Sequence, residues 1–323
     1  MDKFAVLTSG GDAPGLNACI NAVVHASAFY GHEIMGVESG YEGLVKNHFF
    51  PLKLSELGNI NALGGTILKT SRSESFQTKE GRKQAFENLR KNEVKKLIIL
   101  GGDGSLTGAQ IFSEEYPEIG IIGIPKTIDN DISGTEFAIG YDTALNTAVR
   151  AIDNIRDTAT SHNRVFIVEV MGRDAGYIAY GTGLATGAEG ILIPETNMDM
   201  VYLTGQIQKH IEKKKPLVIV VAEGDESGGA FSVSKKLKEI IPEREIRVSI
   251  LGYIQRGGAP SAFDRILATK FGVWAVQSLL EGKSNVMVSS ISGKIKHTPL
   301  SQVQKRKMKI SSSALEMLEI CTF

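Results

Sequence analysis

Cysteine is scarce: Cys19 and Cys321 are the only two in 323 residues, and they sit at opposite ends of the chain with no metal-ligand spacing. That argues against a disulfide framework and a thiolate metal site, and both read as free thiols. Net charge is lacking as well. Lys plus Arg equals Asp plus Glu at 36 each, which leaves no overall field to hold nucleic acid or an anionic membrane. No segment reaches the roughly 20 apolar residues that a membrane span needs. Met1-Asp2-Lys3 runs straight into the strand-like Phe4-Ala5-Val6-Leu7. The expectation is a cytoplasmic protein with neither a nucleic-acid nor a membrane partner.

Hydrophobic residues make up 42% of the chain and charged residues 22%, enough for a sizeable core, and the length suggests two domains. Apolar runs alternate with amphipathic stretches, the pattern of an α/β protein with parallel sheets covered by helices. Strands are expected at 3–7, 34–38, 94–100, 119–124, 165–170, 190–193, 217–222, 246–250 and 286–289. A helix over 142–156 places Ala144, Ala148, Ala151 and Ile155 on one face, a plausible domain connector. A second, after Arg256-Gly257-Gly258, places Ile266, Thr269, Val273, Val276 and Leu280 together. Lys213-Lys214-Lys215 reads as the solvated end of a helix, where cations suit the dipole.

The 35 glycines are numerous, and many follow apolar runs, where backbone can approach a ligand closely. Gly101-Gly102-Asp103-Gly104-Ser105 and Pro125-Lys126-Thr127-Ile128-Asp129-Asn130-Asp131 each follow such a run, so both should lie at the carboxyl edge of one sheet. The first loop offers glycine amides, a helix N-terminus and a single carboxylate. A carboxylate beside bound phosphates is repulsive unless it ligates a metal, which makes Asp103 the Mg²⁺ candidate. Gly104 leaves room for a nucleoside phosphate, and Ser105 can cap the next helix while touching phosphate. An Asx turn would also produce Asp129-Asn130-Asp131. Beside the first loop, two acids can divide the tasks of accepting a hydroxyl proton and orienting the reacting groups. Thr8-Ser9-Gly10-Gly11-Asp12-Ala13-Pro14-Gly15 is a third glycine-rich strand-to-helix segment, and Arg72, Arg164, Arg173 and Arg256 lie in glycine-bearing loops. Planar guanidinium groups suit bidentate phosphate contacts. Together these features point to phosphoryl transfer.

Assembled over nearly the whole length, the motifs resemble those of bacterial-type 6-phosphofructokinases: Leu7 to Gly15, Gly101 to Ser105, Thr127 to Asp131, Arg156-Asp157-Thr158, Val170-Met171-Gly172-Arg173 and Leu251 to Gly258. The resemblance implies two Rossmann-like, three-layer α/β/α domains with mostly parallel sheets. Residues 1–139 plus 254–304 would bind nucleotide and 140–253 plus 305–323 the sugar phosphate. It implies a glycolytic kinase that moves the γ-phosphoryl of MgATP to the 1-hydroxyl of fructose 6-phosphate. By the resemblance Asp129 is the general base, supported by Thr127 and Asp131, with Gly11, Arg72 and Arg173 completing the catalytic set. Gly11, Tyr41, Arg72, Ser73, Phe76, Gly102, Asp103, Gly104, Ser105 and Gly108 would serve ATP. Thr127, Asp129, Asp131, Met171, Gly172, Arg173, Glu223, Tyr253 and Arg256 would serve the sugar, with Arg164 and Arg247 reaching it from an adjacent subunit of a homotetramer.

The chain departs from the common bacterial pattern in three places. Lys126 stands where ATP users usually have glycine and resembles the pyrophosphate-dependent branch, whereas Gly104 resembles ATP users; the steric argument at Gly104 favours ATP. Tyr253 replaces a histidine. At the family's effector site Asn21 and His25 replace arginines while Arg156, Gly187, Glu189, Lys214 and Lys215 remain, so allosteric control is expected to be weak. The competing readings are a pyrophosphate-dependent phosphofructokinase, an NAD or lipid kinase sharing the Gly-Gly-Asp-Gly loop, and a non-catalytic sugar-phosphate or nucleotide sensor.

Overall fold

The computed structural model describes residues 3–162, 164–196, 204–205, 207, 216–226 and 228–321. The chain forms two compact units, Met1–Thr143 with Arg256–Lys305, and Ala144–Gln255 with Arg306–Phe323. The first contains β1 (Lys3–Thr8), α1 (Leu16–Phe29), β2 (Glu33–Val37), α2 (Gly40–Val45), β3 (Phe49–Pro51), α3 (Lys79–Lys91), β4 (Val94–Gly101), α4 (Asp103–Glu115) and β5 (Gly120–Pro125). Helix α5 (Tyr141–His162) leads into the second unit, which holds β6 (Val165–Val170), α6 (Tyr177–Thr186), β7 (Gly190–Leu192), β8 (Leu217–Ala222), α7 (Gly229–Ile240) and β9 (Ile246–Ile250). The chain then returns to the first unit with α8 (Ala262–Leu280), β10 (Val286–Ile291) and β11 (Lys294–Pro299), and ends with α9 (Ser312–Cys321).

The sheet of the first unit runs β11-β10-β5-β4-β1-β2-β3. Its five inner strands are parallel, and β3 and β11 pair antiparallel at the two edges. Because side chains alternate along a strand, the continuous apolar runs cover both faces. Phe4, Val6, Ile98, Leu100, Ile122 and Ile124 join Ile20, Val23, Phe271 and Ala275 of α1 and α8. Ala5, Leu7, Leu97, Ile99 and Ile121 join Leu89, Leu106 and Phe112 of α3 and α4. Each such side chain contributes about 1.5–3 kcal/mol when fully buried. Helices α1 and α8 cross closely at Gly272, where a Cβ would stand 2.8 Å from both Ala22 Cβ and the Cys19 carbonyl oxygen.

The second unit carries a wholly parallel sheet, β7-β8-β6-β9. Val165, Ile167, Leu217, Ile219 and Val221 pack under Ala230, Val233 and Leu237 of α7, while α6 lies against β7 and β8. The molecule is therefore an α/β protein with mostly parallel sheets, and every strand expected from the sequence is present to within two residues at either end. Strands β3 and β11 are additional.

Two helix faces differ from expectation. On α8 the buried stripe is Leu267, Ala268, Phe271, Ala275, Val276 and Leu279, while Ile266 is 56% exposed and Thr269 is exposed. Apolar residues surround this helix, so periodicity could not select the face, and packing against α1 did. On α5, Ala144 and Ala148 are buried together with Ile152, and Ala151 and Ile155 are only half-buried. The Lys213 to Lys215 run lies outside the described residues. Cys19 is a free, buried thiol.

Candidate active site

In the first unit β2 and β4 flank β1 on opposite sides, so the strand order reverses at β1. Ligand crevices form at such reversals, outside the carboxyl ends of the strands. The segments that follow β1, β4 and β5 are the three glycine- and aspartate-bearing loops. Backbone bonds hold them side by side: the Ser9 N–H donates to the Leu100 carbonyl at 2.9 Å and the Lys126 N–H to the Gly101 carbonyl at 3.0 Å.

Asp103 and Gly104 are the first residues of α4, and a Cβ added at Gly104 would meet nothing within 4 Å. Gly102 precedes the helix with no side-chain cap. Ser105 is therefore not the cap that its sequence position suggested. It lies inside the first turn, and its Oγ donates to Ser9 Oγ at 2.9 Å, tying the β4 loop to the β1 loop. Tyr41 and Phe76 stack on each other with centroids 3.9 Å apart, and the Tyr41 hydroxyl donates to the Ser105 carbonyl at 2.6 Å. A Cβ at Gly108 would lie 3.4 Å from Tyr41. These two rings are buried and support α4 from below. Ser73 Oγ donates to Glu42 Oε2 at 2.6 Å, and Arg72 is exposed.

Lys126 is 3% exposed, and its ammonium donates to the carbonyls of Ser9, at 3.1 Å, and Gly11. Burial, with the Arg256 guanidinium nearby, lowers its pKa to about 8, although Asp12 and Asp129 oppose the shift. Asp129 and Asp131 are buried on either side of Asn130, whose φ of 51° is left-handed. Asn130 secures that turn by donating to the Glu136 carbonyl and accepting from the Ala138 N–H. The Asp129 N–H donates to Thr127 Oγ1 at 3.1 Å, and Asp131 lies 3.9 Å from Lys305 Nζ. Arg256 reaches the β1 loop, because a Cβ at Gly11 would stand 2.6 Å from its Nη1.

In the second unit the carboxyl edge carries Met171, Gly172 and Arg173 after β6, Glu223 after β8, and Tyr253 after β9. The Arg173 N–H donates to Glu223 Oε1 at 2.8 Å, and Arg173 takes a φ of 51°. The Met171 N–H donates to the buried Gln255 at 3.3 Å. Tyr253 is 80% exposed. Arg164 and Arg247 are not brought to this edge: one precedes β6, the other pairs with Phe166 near its start, and Glu245 bridges the two. Arg156 donates to Glu189 Oε1 at 2.8 Å and to the Gly187 carbonyl at 2.9 Å. Asn21 and His25 share one face of α1, four residues apart, and Lys214 and Lys215 lie outside the described residues.

The sequence reading missed three contributors: Ser9, Thr143 and Asp264. Asp264 is fully buried and accepts from the Gly140 N–H, the Thr143 N–H and the Thr143 hydroxyl. The capping-box spacing of Ser261 to Asp264 marks only a helix start, not the bonds to Gly140 and Thr143.

Comparison with known proteins accords with this arrangement. Residues 3–279 match the family described as Phosphofructokinase. An ATP-dependent 6-phosphofructokinase of Cytophaga hutchinsonii is 45% identical over 99% of this chain and 97% of its own length. That of Halalkalibacterium halodurans is 48% identical over 96% of each chain. The solved phosphofructokinase of Saccharomyces cerevisiae superposes with a TM-score of 0.86 at 35% identity, over 99% of this chain and 46% of that longer one. With a family match over most of its length and relatives this similar end to end, the chain belongs to the phosphofructokinase family.

Proposed function

We propose that this protein is an ATP-dependent 6-phosphofructokinase that transfers the γ-phosphoryl of ATP to the 1-hydroxyl of fructose 6-phosphate, giving fructose 1,6-bisphosphate and ADP. The observation that carries the reading is the meeting of the β1, β4 and β5 loops where the strand order reverses. Family membership and the names of the relatives support the same donor and acceptor. Nucleotide phosphates would lie along Gly11, Gly102, Gly104 and Ser105 at the N-terminus of α4, where backbone N–H groups and the helix dipole favour anions, with Arg72 as a further cation. Asp129 would take the proton from the attacking hydroxyl, and Thr127 and Asp131 would orient the reacting groups. Met171, Gly172, Arg173, Glu223, Tyr253 and Arg256 would bind the sugar, with Tyr253 in the role of the usual histidine.

Among the described residues no group of three His, Cys, Asp or Glu side chains could hold a metal. A lone carboxylate on the first turn of α4 suits a cation carried on the nucleotide phosphates, as Mg²⁺ usually is. Asp103 would hold Mg²⁺, which when bound supplies charge neutralisation at the phosphates. Arg164 and Arg247, at the opposite end of their sheet from Arg173, fit a contribution to an adjacent subunit's site in a homotetramer. With Asn21 and His25 in place of arginines, allosteric control would be weak. The protein would act in the cytoplasm.

One observation favours a second reading. The buried Lys126 ammonium lies under the β1 loop, where it could serve pyrophosphate as donor. Coupled assays with each donor decide between them. We expect turnover with ATP, and activity with pyrophosphate alone refutes the donor assignment.

A further inference from the structure

We propose that Asp264 is a positioning residue for phosphoryl transfer, a buried carboxylate that fastens the segment after β5 to the one that begins at Arg256, with the β1 loop packed against the junction. The inference rests on the activity reading above. Asp264 is the third residue of α8, where an acid usually accepts from the N–H of the capping residue; here the Ser261 N–H goes to Thr143 Oγ1, while Ser261 Oγ accepts the Asp264 N–H at 3.2 Å. Its side chain instead accepts from the Gly140 N–H at 3.0 Å, and from the Thr143 N–H and hydroxyl at 2.8 and 2.5 Å. Thr143 Oγ1 in turn accepts from the Ser261 N–H at 3.0 Å, and Ser261 Oγ donates to Asp142 at 2.5 Å.

From this knot a chain of hydrogen bonds leads to the candidate base. Gly140 follows Ile139, whose carbonyl accepts from the Thr127 N–H at 3.2 Å and whose N–H donates to the Pro125 carbonyl at 3.0 Å. Thr127 Oγ1 accepts from the Asp129 N–H. The β1 loop closes on the same point. A Cβ at Gly15 would lie 2.7 Å from Ile139 Cγ2 and 3.7 Å from Asp264 Cβ, and one at Gly140 would lie 2.6 Å from Ala13 Cβ. On its own side Asp264 continues the segment that begins at Arg256, whose guanidinium rests against Gly11. Burial raises the Asp264 pKa even though Thr143 and Gly140 oppose the shift. A carboxylate held in such a place is costly unless its bonds are needed, and here they connect segments more than a hundred residues apart.

The test combines kinetics with amide hydrogen exchange on the full chain, using Asp264→Asn, Thr143→Val, Thr143→Ser and, as a destabilised control, the core substitution Val288→Ala. An amide side chain must oppose one of the N–H groups that Asp264 now accepts. Asp264→Asn should lower kcat about 10–100-fold, the effect of a small misplacement of reacting groups, with the KM for each substrate within about threefold. Thr143→Val should do the same, the two losses should not add, and Thr143→Ser should restore turnover. Exchange across 126–143 should rise in the Asp264 and Thr143→Val variants and not in the control. The role is overturned by an Asp264→Asn kcat within twofold of wild type, by an equal loss in Val288→Ala, or by unchanged exchange in 126–143. If Asp264→Asn does not fold, the Thr143 pair carries the test: equal kcat in Val and Ser refutes it. Absence of turnover in the wild-type protein would refute the activity reading alone, while the exchange measurement still judges the fastening role.

Discussion

Replacing Lys126 with Met probes the most unusual charge in the site. The native ammonium has a pKa of about 8 against the ordinary 10.5, with burial as the main cause and Arg256 the next. Below about pH 8 the folded and unfolded chains both carry the proton, so the group gives stability no pH dependence. Between about 8 and 10.5 only the unfolded chain keeps it, and the folded state gains on raising the pH. A difference of about 2.5 units at about 1.4 kcal/mol per unit amounts to roughly 3.5 kcal/mol, a penalty present at neutral pH and relieved at high pH. Lys126→Met has no such group. Urea unfolding of both proteins at intervals from pH 7 to 10 should therefore show the stability of the native protein rising relative to the variant by roughly 2.5 kcal/mol, the part of that amount reached by pH 10. Comparing the two cancels the titration of surface lysines. If the ammonium also stabilises the transferring phosphoryl group, native kcat/KM should fall on an alkaline limb near pH 8. That limb should vanish in the variant, and the variant's rate at neutral pH should be lower by about 10²–10³. Parallel stability curves, or an identical alkaline limb in both proteins, would refute the reasoning.

Three further substitutions test neighbouring parts. Asp129→Asn should bind both substrates but lose about 10²–10⁴ in kcat, and near-native turnover measured in the coupled assay would remove Asp129 as the base. Gly11→Ala places a Cβ 2.6 Å from Arg256 Nη1, the far end of a flexible side chain. Stability should therefore change by only about 0.5 kcal/mol, while displacement of the guanidinium raises the KM for fructose 6-phosphate about tenfold; steady-state kinetics would read this directly. Gly104→Asp enters open space and puts an acid in the first turn of α4, which is worth roughly 0.3–1 kcal/mol. The melting temperature should hold or rise while ATP-dependent turnover collapses, and retained ATP affinity by isothermal titration would show that Gly104 does not set nucleotide access.

The inner strands were legible because their runs are apolar on both faces, as at Leu97 to Leu100 and Leu217 to Ala222. The edges were not. β3 is only Phe49-Phe50-Pro51, and β11 carries Lys294 and Lys296 exposed on either side of Ile295, a charged edge of the kind that discourages further pairing. Ser292 and Gly293, both at positive φ, mark the tight turn of the β10–β11 hairpin, a clue available in the Ser-Gly pair. In the candidate site, chemistry-bearing residue types beside glycine were readable from the sequence because phosphates demand close backbone approach. Long-range partnership was not readable. Nothing local distinguishes Ser105 as a cap from Ser105 as a tie to Ser9, and nothing in Ser261 to Asp264 tells that the acid bonds to Gly140 and Thr143. Likewise Arg164 and Arg173 looked equivalent as loop arginines until the strand between them, β6, placed them at opposite ends of one sheet.

The interrupted path of the first unit also bears on biosynthesis. Strand β5 ends at Pro125, and its neighbour β10 begins at Val286, about 160 residues later, or roughly 8–32 s at about 5–20 residues per second. During that interval the nascent sheet ends at β5, with an unpaired row of N–H and carbonyl groups. α8, which supplies Phe271 and Ala275 to one face, has yet to emerge. A ribosome-bound chain truncated before residue 262 should thus expose an adhesive flank, which makes the newly made N-terminal segment a client for chaperones until its own C-terminal portion arrives to seal it.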